Sequence, residues 1–197
     1  RESRAAVVYN SMASDDYDSS EDAELFLDSN LGDVPAVYTV AGTMAATINQ
    51  TSELRDIPIG VYGNSDELVT LTFNGVAKFP GTTLYDAKTQ RETALFDGST
   101  LTLTANTHGR YFLRAGTPTA NEAVATESIR IYTVSDKLIV TSTEDLQTVA
   151  VYDFSGRVVY SMDRLSTHSV NIALPKGTYI VKATGRHEEE TRKVLIK

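Results

Sequence analysis

The chain contains no cysteine, no tryptophan and only three histidines among its 197 residues. Without cysteine it forms neither disulfides nor zinc–thiolate sites, and thiol catalysis is excluded. His108, His168 and His187 have no second histidine or carboxylate at a metal-ligand spacing, so we expect them at the surface. The sequence also lacks a G-x-S-x-G elbow, a phosphate-binding glycine loop and an H-E-x-x-H pair. These shortages predict a protein that is not an enzyme.

Long apolar runs are missing too, so no segment of the sequence predicts a membrane span. The net charge of −8 is concentrated at one end. Residues 1–35 hold nine acids and two bases, a net of −7, whereas residues 128–197 hold eight acids and ten bases, a net of +2. An acidic chain without a basic stripe repels polyphosphates, which argues against nucleic acid as a partner. Because the chain starts at Arg1 rather than at a methionine, we expect a piece of a longer polypeptide.

What the sequence does have is alternation of apolar and polar residues. Val69, Leu71 and Phe73 alternate with two threonines and an asparagine. This period of two is typical of half-buried antiparallel strands, and turn-forming residues recur about every eight to twelve positions. No segment keeps a helical period over three turns, so the predicted fold class is all-β. The predicted strands cover residues 23–27, 36–40, 44–48, 57–62, 67–73, 82–86, 99–105, 109–115, 146–154, 158–163, 168–174, 178–184 and 191–197.

A change in composition divides the chain. Residues 116–127 (GTPTANEAVATE) are small and polar and lack strong strand formers, which predicts an inter-domain linker. On its two sides we expect two β-sandwich domains. We expect residues 1–115 to form a jelly-roll-like sandwich and residues 128–197 to form a small Ig-like sandwich of about seven strands. The first 22 residues are polar and acidic, and we expect part of them to be a linker.

The end of the chain has a recognisable order of short segments. They are 149–159 (VAVYDFSGRVV), 174–181 (LPKGTYIV) and 192–197 (RKVLIK). Together they resemble the C-terminal sorting domain of bacterial type IX secretion cargo. The family's opening Tyr-Pro-x-Pro type segment has no counterpart, because 129–134 (IRIYTV) lacks proline. The first domain resembles, more loosely, the β-sandwich modules that precede such sorting domains.

The resemblance implies the C-terminal region of an exported bacterial protein that is secreted or held at the outer cell surface. The last domain would be recognised by the secretion or surface-attachment machinery, and the first would be a spacer or interaction module. By the resemblance, Gly177 and Tyr179 are the positions that the machinery would recognise. The alternative is that Gly177 only makes a tight turn and Tyr179 only packs in the core. Arg192, Lys193 and Lys197 would protect and mark the closing edge strand.

An acidic stretch near the start is a weak candidate calcium site. Asp16, Asp18 and Asp22 place oxygen ligands at alternating positions, as calcium-binding loops do. Against this, Glu21 stands where such a loop needs glycine, and Leu27 stands where it needs a bidentate glutamate. A solvated acidic loop is the alternative, and apart from this calcium ion we expect no cofactor.

Two further functions remain open. Four tyrosines in or beside polar stretches are candidates for stacking on sugars, which would make the chain a glycan-binding module: Tyr9, Tyr17, Tyr62 and Tyr132. Scattered half-buried tyrosines on a β-surface are the alternative interpretation. The chain would also suit the accessory end of a secreted hydrolase whose catalytic domain lies upstream.

Overall fold

The computed structural model describes residues 2–27, 34–115 and 129–197. In these residues the regular structure is β-strand, apart from a short 3-10 helix over Val76–Lys78. The predicted all-β class is therefore confirmed. The chain divides into two compact units, Arg1–Glu122 and Ala123–Lys197. The linker predicted over 116–127 lies outside the described residues.

The described part of the first unit forms two sheets. Its strands are β1 (Ala6–Tyr9), β2 (Ala23–Glu24), β3 (Ala36–Ala41), β4 (Met44–Thr51), β5 (Ile57–Tyr62), β6 (Leu68–Thr72), β7 (Thr83–Asp86), β8 (Arg91–Ala94), β9 (Thr100–Thr104) and β10 (Tyr111–Arg114). The large sheet has the order β4-β3-β5-β10-β7-β8, and both β1 and β2 pair with β4. The small sheet is the antiparallel pair β6-β9.

An apolar core joins the two sheets of the first unit. Ile59, Val61 and Tyr111 of the large sheet belong to the same buried cluster as Leu103 of the small sheet. The alternating residues of β6 lie against this cluster but are only partly buried. Full burial of one aliphatic side chain contributes about 1.5–3 kcal/mol. Because the side chains of β6 are only partly buried, they contribute less than this to the stability of the first unit.

A glycine lets the large sheet bury a tyrosine at its centre. Tyr38 of β3 lies directly across from Gly60 of β5, is fully buried, and hydrogen-bonds through its hydroxyl to Nδ1 of His108 at 2.7 Å. A Cβ built on Gly60 would lie 2.5 Å from the Tyr38 hydroxyl oxygen. The tyrosine ring therefore occupies the space that any other residue at position 60 would need.

Two arginines of the β10 region tie neighbouring strands together. Arg110 donates two hydrogen bonds to the carboxylate of Asp86, both at 2.8 Å. This pairing is the main reason that the pKa of Asp86 lies below its usual value of 3.8. Arg114 pairs with Asp56 and Glu92, and its guanidinium lies 3.9 Å from the centroid of the Tyr85 ring. These contacts are structural supports of the sheet.

The acidic start of the chain is part of the fold, so the prediction that it is in part a linker is wrong for the described residues. β1 pairs in parallel with Ile48–Thr51 of β4. Asp22 is buried, and its carboxylate accepts hydrogen bonds from the backbone N–H groups of Gln50 at 2.7 Å and Asp18 at 2.9 Å. Backbone hydrogen bonding, which polar composition does not reveal, fixes this segment.

The second unit is built from two long strands and three shorter ones in its described residues. They are β11 (Arg130–Val134), β12 (Lys137–Tyr152), β13 (Val158–Ala173), β14 (Gly177–Thr184) and β15 (Glu189–Ile196). The first part of β12 pairs with β11 and with the end of β13. After register shifts between Thr141 and Thr148, β12 pairs with the start of β13 and with β14. β15 pairs with β14.

The register shifts let the two long strands contribute to both layers of a small sandwich. If β12 and β13 are each divided at the shift, residues 129–197 hold seven strand segments, in agreement with the prediction of about seven. Its core is a single apolar cluster that includes Leu138, Val151, Val181 and Ile196, all at most 1% exposed. Since Ile196 belongs to this core, the last strand is fixed in the fold through its end.

Among the described residues, none of the helical structure has the length and hydrophobicity that a bilayer crossing requires.

Candidate functional site

The turn between β12 and β13 is held by one carboxylate. One oxygen of Asp153 accepts hydrogen bonds from the hydroxyl of Ser155 at 2.6 Å and from the backbone N–H groups of Ser155 and Arg157. The other oxygen accepts from Nε of Arg157 at 3.0 Å. The Ser155 hydroxyl is the largest cause of a drop in the pKa of Asp153 to about 2. Gly156 supplies the left-handed backbone, with φ of 80°, that closes the turn.

This turn borders a row of side chains that crosses four neighbouring strands. Val158 lies across from Tyr152, which lies across from Ile180, which in turn lies across from Lys193. Their chain neighbours Val151 and Val181 face the core, so the row faces outward on the side away from it. Four strands thus present a continuous outer surface.

Large apolar side chains are unusually exposed on this surface. Phe154 is 78% exposed, Val158 52%, Leu195 51% and Ile180 36%. We call these four residues, together with Tyr152 and Lys193, the outer patch. Exposed apolar patches with a polar rim mark interaction sites in soluble proteins, because burial of the patch by a partner removes it from water.

Basic residues accompany the outer patch. Nζ of Lys193 lies 5.8 Å from the centroid of the Phe154 ring, within cation–π range. Lys182 stands on the same face, and its ammonium pairs with the carboxylate of Glu189 at 2.8 Å. The hydrogen bond that Lys182 donates to Glu189 raises the pKa of Lys182. A partner that covers this surface would therefore combine apolar and acidic groups.

The structure locates the five residues predicted as recognition positions along β14 and β15. Gly177 begins β14 opposite Ile196, and a Cβ built on it would lie in ordinary contact with the ring of Tyr179, 3.4 Å from its hydroxyl oxygen. The Tyr179 hydroxyl donates to the carbonyl of Pro175 at 2.9 Å. Tyr179 is 8% exposed and belongs to the core. These two residues shape the turn and pack the sandwich, which agrees with the structural alternative for both.

The three basic residues at the end of the chain have different surroundings. Arg192 pairs with Glu190 at 2.6 Å on its own strand. Lys193 belongs to the outer patch, and Lys197 is exposed just after the end of β15. Sequence reasoning found Lys193 but missed the apolar residues around it, since they come from four strands and meet only through the register.

The candidate calcium ligands do not converge. Asp22 is committed to backbone N–H groups, and Asp18 accepts hydrogen bonds from the N–H and the hydroxyl of Ser20 at 2.8 and 2.7 Å. Asp16 is exposed. Within residues 2–27, 34–115 and 129–197, no group of three or more histidine, aspartate or glutamate side chains is placed to hold a metal ion. The carboxylates of Asp18 and Asp22 serve the local fold of this acidic loop.

The four candidate sugar-stacking tyrosines differ in exposure. Tyr132 is fully buried, so its prediction as a stacking platform is wrong: the β11 position that looked polar-flanked in sequence is interior. Tyr17 and Tyr62 are half-buried. Tyr9 is 44% exposed and packs edge-on against Phe79, with ring centroids 6.5 Å apart.

The prediction that all three histidines lie at the surface is wrong for His108. Its side chain is 4% exposed and shares its hydrogen bond with Tyr38 in the interior of the first unit. His187 is exposed, while His168 is half-buried, with Nε2 at 3.7 Å from the Asp145 carboxylate. The pairing of His108 with Tyr38 joins residues 70 positions apart, a distance that no local pattern reveals.

In a comparison with known protein families, residues 117–196 match the model of a family described as a domain of unknown function (DUF8694). The match covers the second unit and none of the strands of the first. No curated protein matches the chain.

Proposed function

We propose that the second unit is a sorting and attachment module of an exported bacterial protein, recognised through the outer patch. The proposal joins the resemblance of its three C-terminal segments to type IX sorting domains with the exposure of the patch. The single observation that carries it is the row Val158, Tyr152, Ile180 and Lys193, which places apolar and basic side chains on one solvent-facing surface of a folded sheet.

The physical basis is recognition of a folded surface rather than of a loose tail. The closing strand is fixed by core residues Val194 and Ile196, so the groups that alternate with them have defined positions. Preorganised contacts lose less conformational entropy on binding than flexible ones do. Exposed apolar residues supply the affinity and the lysines supply orientation toward an acidic partner surface.

The first unit would act as a spacer or interaction module in the same non-enzymatic protein. Its charged pairs, Arg110 with Asp86 and Arg114 with Asp56 and Glu92, are saturated by each other and join neighbouring strands. They support the sheet rather than a substrate. The protein would be displayed at the outer surface or secreted.

The test is an export assay with variants of the patch. The polypeptide that contains the chain is expressed in a bacterium that has type IX machinery, and the surface and medium fractions are measured by immunoblotting. We expect Ile180→Asp and Lys193→Glu each to lower the exported fraction about tenfold, since loss of a central contact typically costs more than about 1.4 kcal/mol. Phe96→Asp is the matched control, because Phe96 is 70% exposed but lies in the first unit.

Folding is checked separately, because an unfolded variant would also fail to be exported. The purified variants should keep the circular dichroism spectrum of the wild type and a melting temperature within a few degrees of it. Export that persists at the wild-type level in folded Ile180→Asp and Lys193→Glu proteins would contradict the proposal. So would an equal loss of export in the Phe96→Asp control.

A further inference from the structure

Among the residues that the structure describes, the sandwich of the first unit is open on one side. Its large sheet is built from eight described strands, whereas the sheet that faces it has only β6 and β9. Beside β6 lies a cleft of about 850 Å³, which is in the range of occupied ligand sites. Apolar residues of the large sheet, among them Val37, Ile59 and Leu113, form its floor. Residues 2–7 form its opposite lip, where Ser3 accepts a hydrogen bond from the N–H of Val37 at 3.0 Å.

The near wall of the cleft is the edge of β6. The N–H of Phe73 donates to Ser99, and the N–H of Ala105 donates to Glu67, which fixes the register of the small sheet. The odd-numbered residues of β6 therefore hydrogen-bond to β9. The N–H and C=O groups of Leu68, Thr70 and Thr72 point the other way, and Thr70 and Thr72 line the cleft. Within the described part of the chain, β6 pairs with β9 alone.

The same strand exposes an alternating set of side chains to the cleft. Val69 and Leu71 of β6, and Phe73 directly after it, face the core and line the cleft, and each is only partly buried. A strand added at the edge of β6 would place every second side chain in the same apolar space. Its backbone would satisfy the outward groups of Leu68, Thr70 and Thr72, which a sugar or a flexible acyl chain would not do in register.

We propose that this cleft binds an extended peptide segment of another protein, which pairs with β6 as an added strand and inserts apolar side chains at alternate positions. β6 spans five residues, so the paired segment is about 17 Å long at the usual rise of a strand. Main-chain hydrogen bonds supply affinity, and the apolar floor selects the alternating pattern. This site is independent of the outer patch and of the export role proposed above.

The first test is a binding titration with a defined probe. The probe is a short peptide of alternating threonine and valine with a lysine at each end, and its control has the same composition with the valines contiguous. We expect the alternating peptide to bind the full chain at least about tenfold more tightly than the contiguous one. Equal binding of the two peptides, or no binding of either, would overturn the proposal.

The second test uses a matched pair of proline variants. Thr70 and Thr102 face each other across the small sheet, and their hydroxyls are 3.2 Å apart, so each variant removes the same side-chain contact. Thr70→Pro removes an N–H that points into the cleft, while Thr102→Pro removes one at the far edge of β9. Proline is tolerated at such edge positions. We expect Thr70→Pro to weaken peptide binding at least about tenfold and Thr102→Pro to leave it unchanged.

Hydrogen exchange of the wild-type protein decides the case even if a proline variant fails to fold. Addition of the alternating peptide should slow exchange of the amides of Leu68, Thr70 and Thr72. The amides of Val69 and Leu71, which already bond to β9, should change little. Protection of both sets alike, or of neither, would show that the peptide does not pair with β6 and would overturn the proposal.

Discussion

Replacement of Gly60 by alanine is the sharpest test of the packing in the first unit. The new Cβ would lie 2.5 Å from the hydroxyl oxygen and 2.6 Å from Cζ of Tyr38. The tyrosine cannot move aside cheaply, because it is fully buried and bonded to His108. Overpacking of this kind costs about 1–3 kcal/mol, and a buried polar group left without its partner costs about 1–3 kcal/mol more.

Part of this cost is offset in the unfolded state. Alanine restricts the unfolded chain more than glycine does, which contributes up to about 1 kcal/mol of stability. We therefore expect Gly60→Ala to lower the free energy of unfolding by about 1–6 kcal/mol. For a unit of this size, each kcal/mol corresponds to about 4 °C, so the melting temperature should fall by roughly 4–24 °C.

The assay is thermal and urea unfolding followed by circular dichroism, with a double-mutant cycle. Tyr38→Leu removes the ring that clashes, so Gly60→Ala should cost much less in that background than in the wild type. Gly185→Ala is the control, since its nearest contacts would lie at 3.7 Å or more. A Gly60→Ala protein within about 0.5 kcal/mol of the wild type, or additive effects in the cycle, would refute the reasoning.

Three further predictions follow from other contacts. Val181→Ala should lower the free energy of unfolding of the second unit by about 2–3 kcal/mol in urea titration, because Val181 is fully buried in its core; a loss below about 0.5 kcal/mol would contradict this. Asp86→Asn should cost about 1.5–3 kcal/mol by the loss of the charged pairing with Arg110. Because the pKa of Asp86 is lowered, this contribution is present above pH 3.8 and is lost as the pH falls below it, so the variant and the wild type should converge in acid. The carboxyl of Asp153 should titrate near pH 2 in an NMR titration, so its turn keeps its protection from hydrogen exchange at pH 3; a midpoint near 3.8 would argue against the turn geometry.

Much of the fold could be predicted from local patterns. The predicted strand over 57–62 coincides with β5, and the strand over 178–184 differs from β14 by one residue. Clean alternation and the turn residues Ser155-Gly156 and Pro175-Lys-Gly177 give these boundaries, since both signals depend on neighbours in sequence.

Other strands, or parts of them, have no clean alternation in the sequence, so local patterns do not predict them. β8 has four exposed residues, so its edge position shows no alternation. β12 and β13 run through polar stretches that look like loops in sequence, because the strands bend from one layer to the other there. β1 lies in a segment whose polar composition predicts a linker, although it pairs in parallel with β4.

The candidate site was predictable only in part for the same reason. Lys193 stands in a basic segment that sequence reasoning singles out, whereas Phe154, Val158 and Ile180 look like ordinary core residues of β-strands. Their exposure depends on which face of the sheet each one occupies, and the register of four strands decides that. Tyr132 shows the converse, since it looked exposed and is buried.

The central claim, that the second unit directs export, is tested most directly by the mass of the mature polypeptide that carries the chain. That polypeptide is purified from the surface or medium of a type IX secreting bacterium and measured intact by mass spectrometry. A mass lower by residues 128–197, in an exported product, is the result that we predict. A polypeptide that stays in the cytoplasm with residues 128–197 intact would contradict the claim.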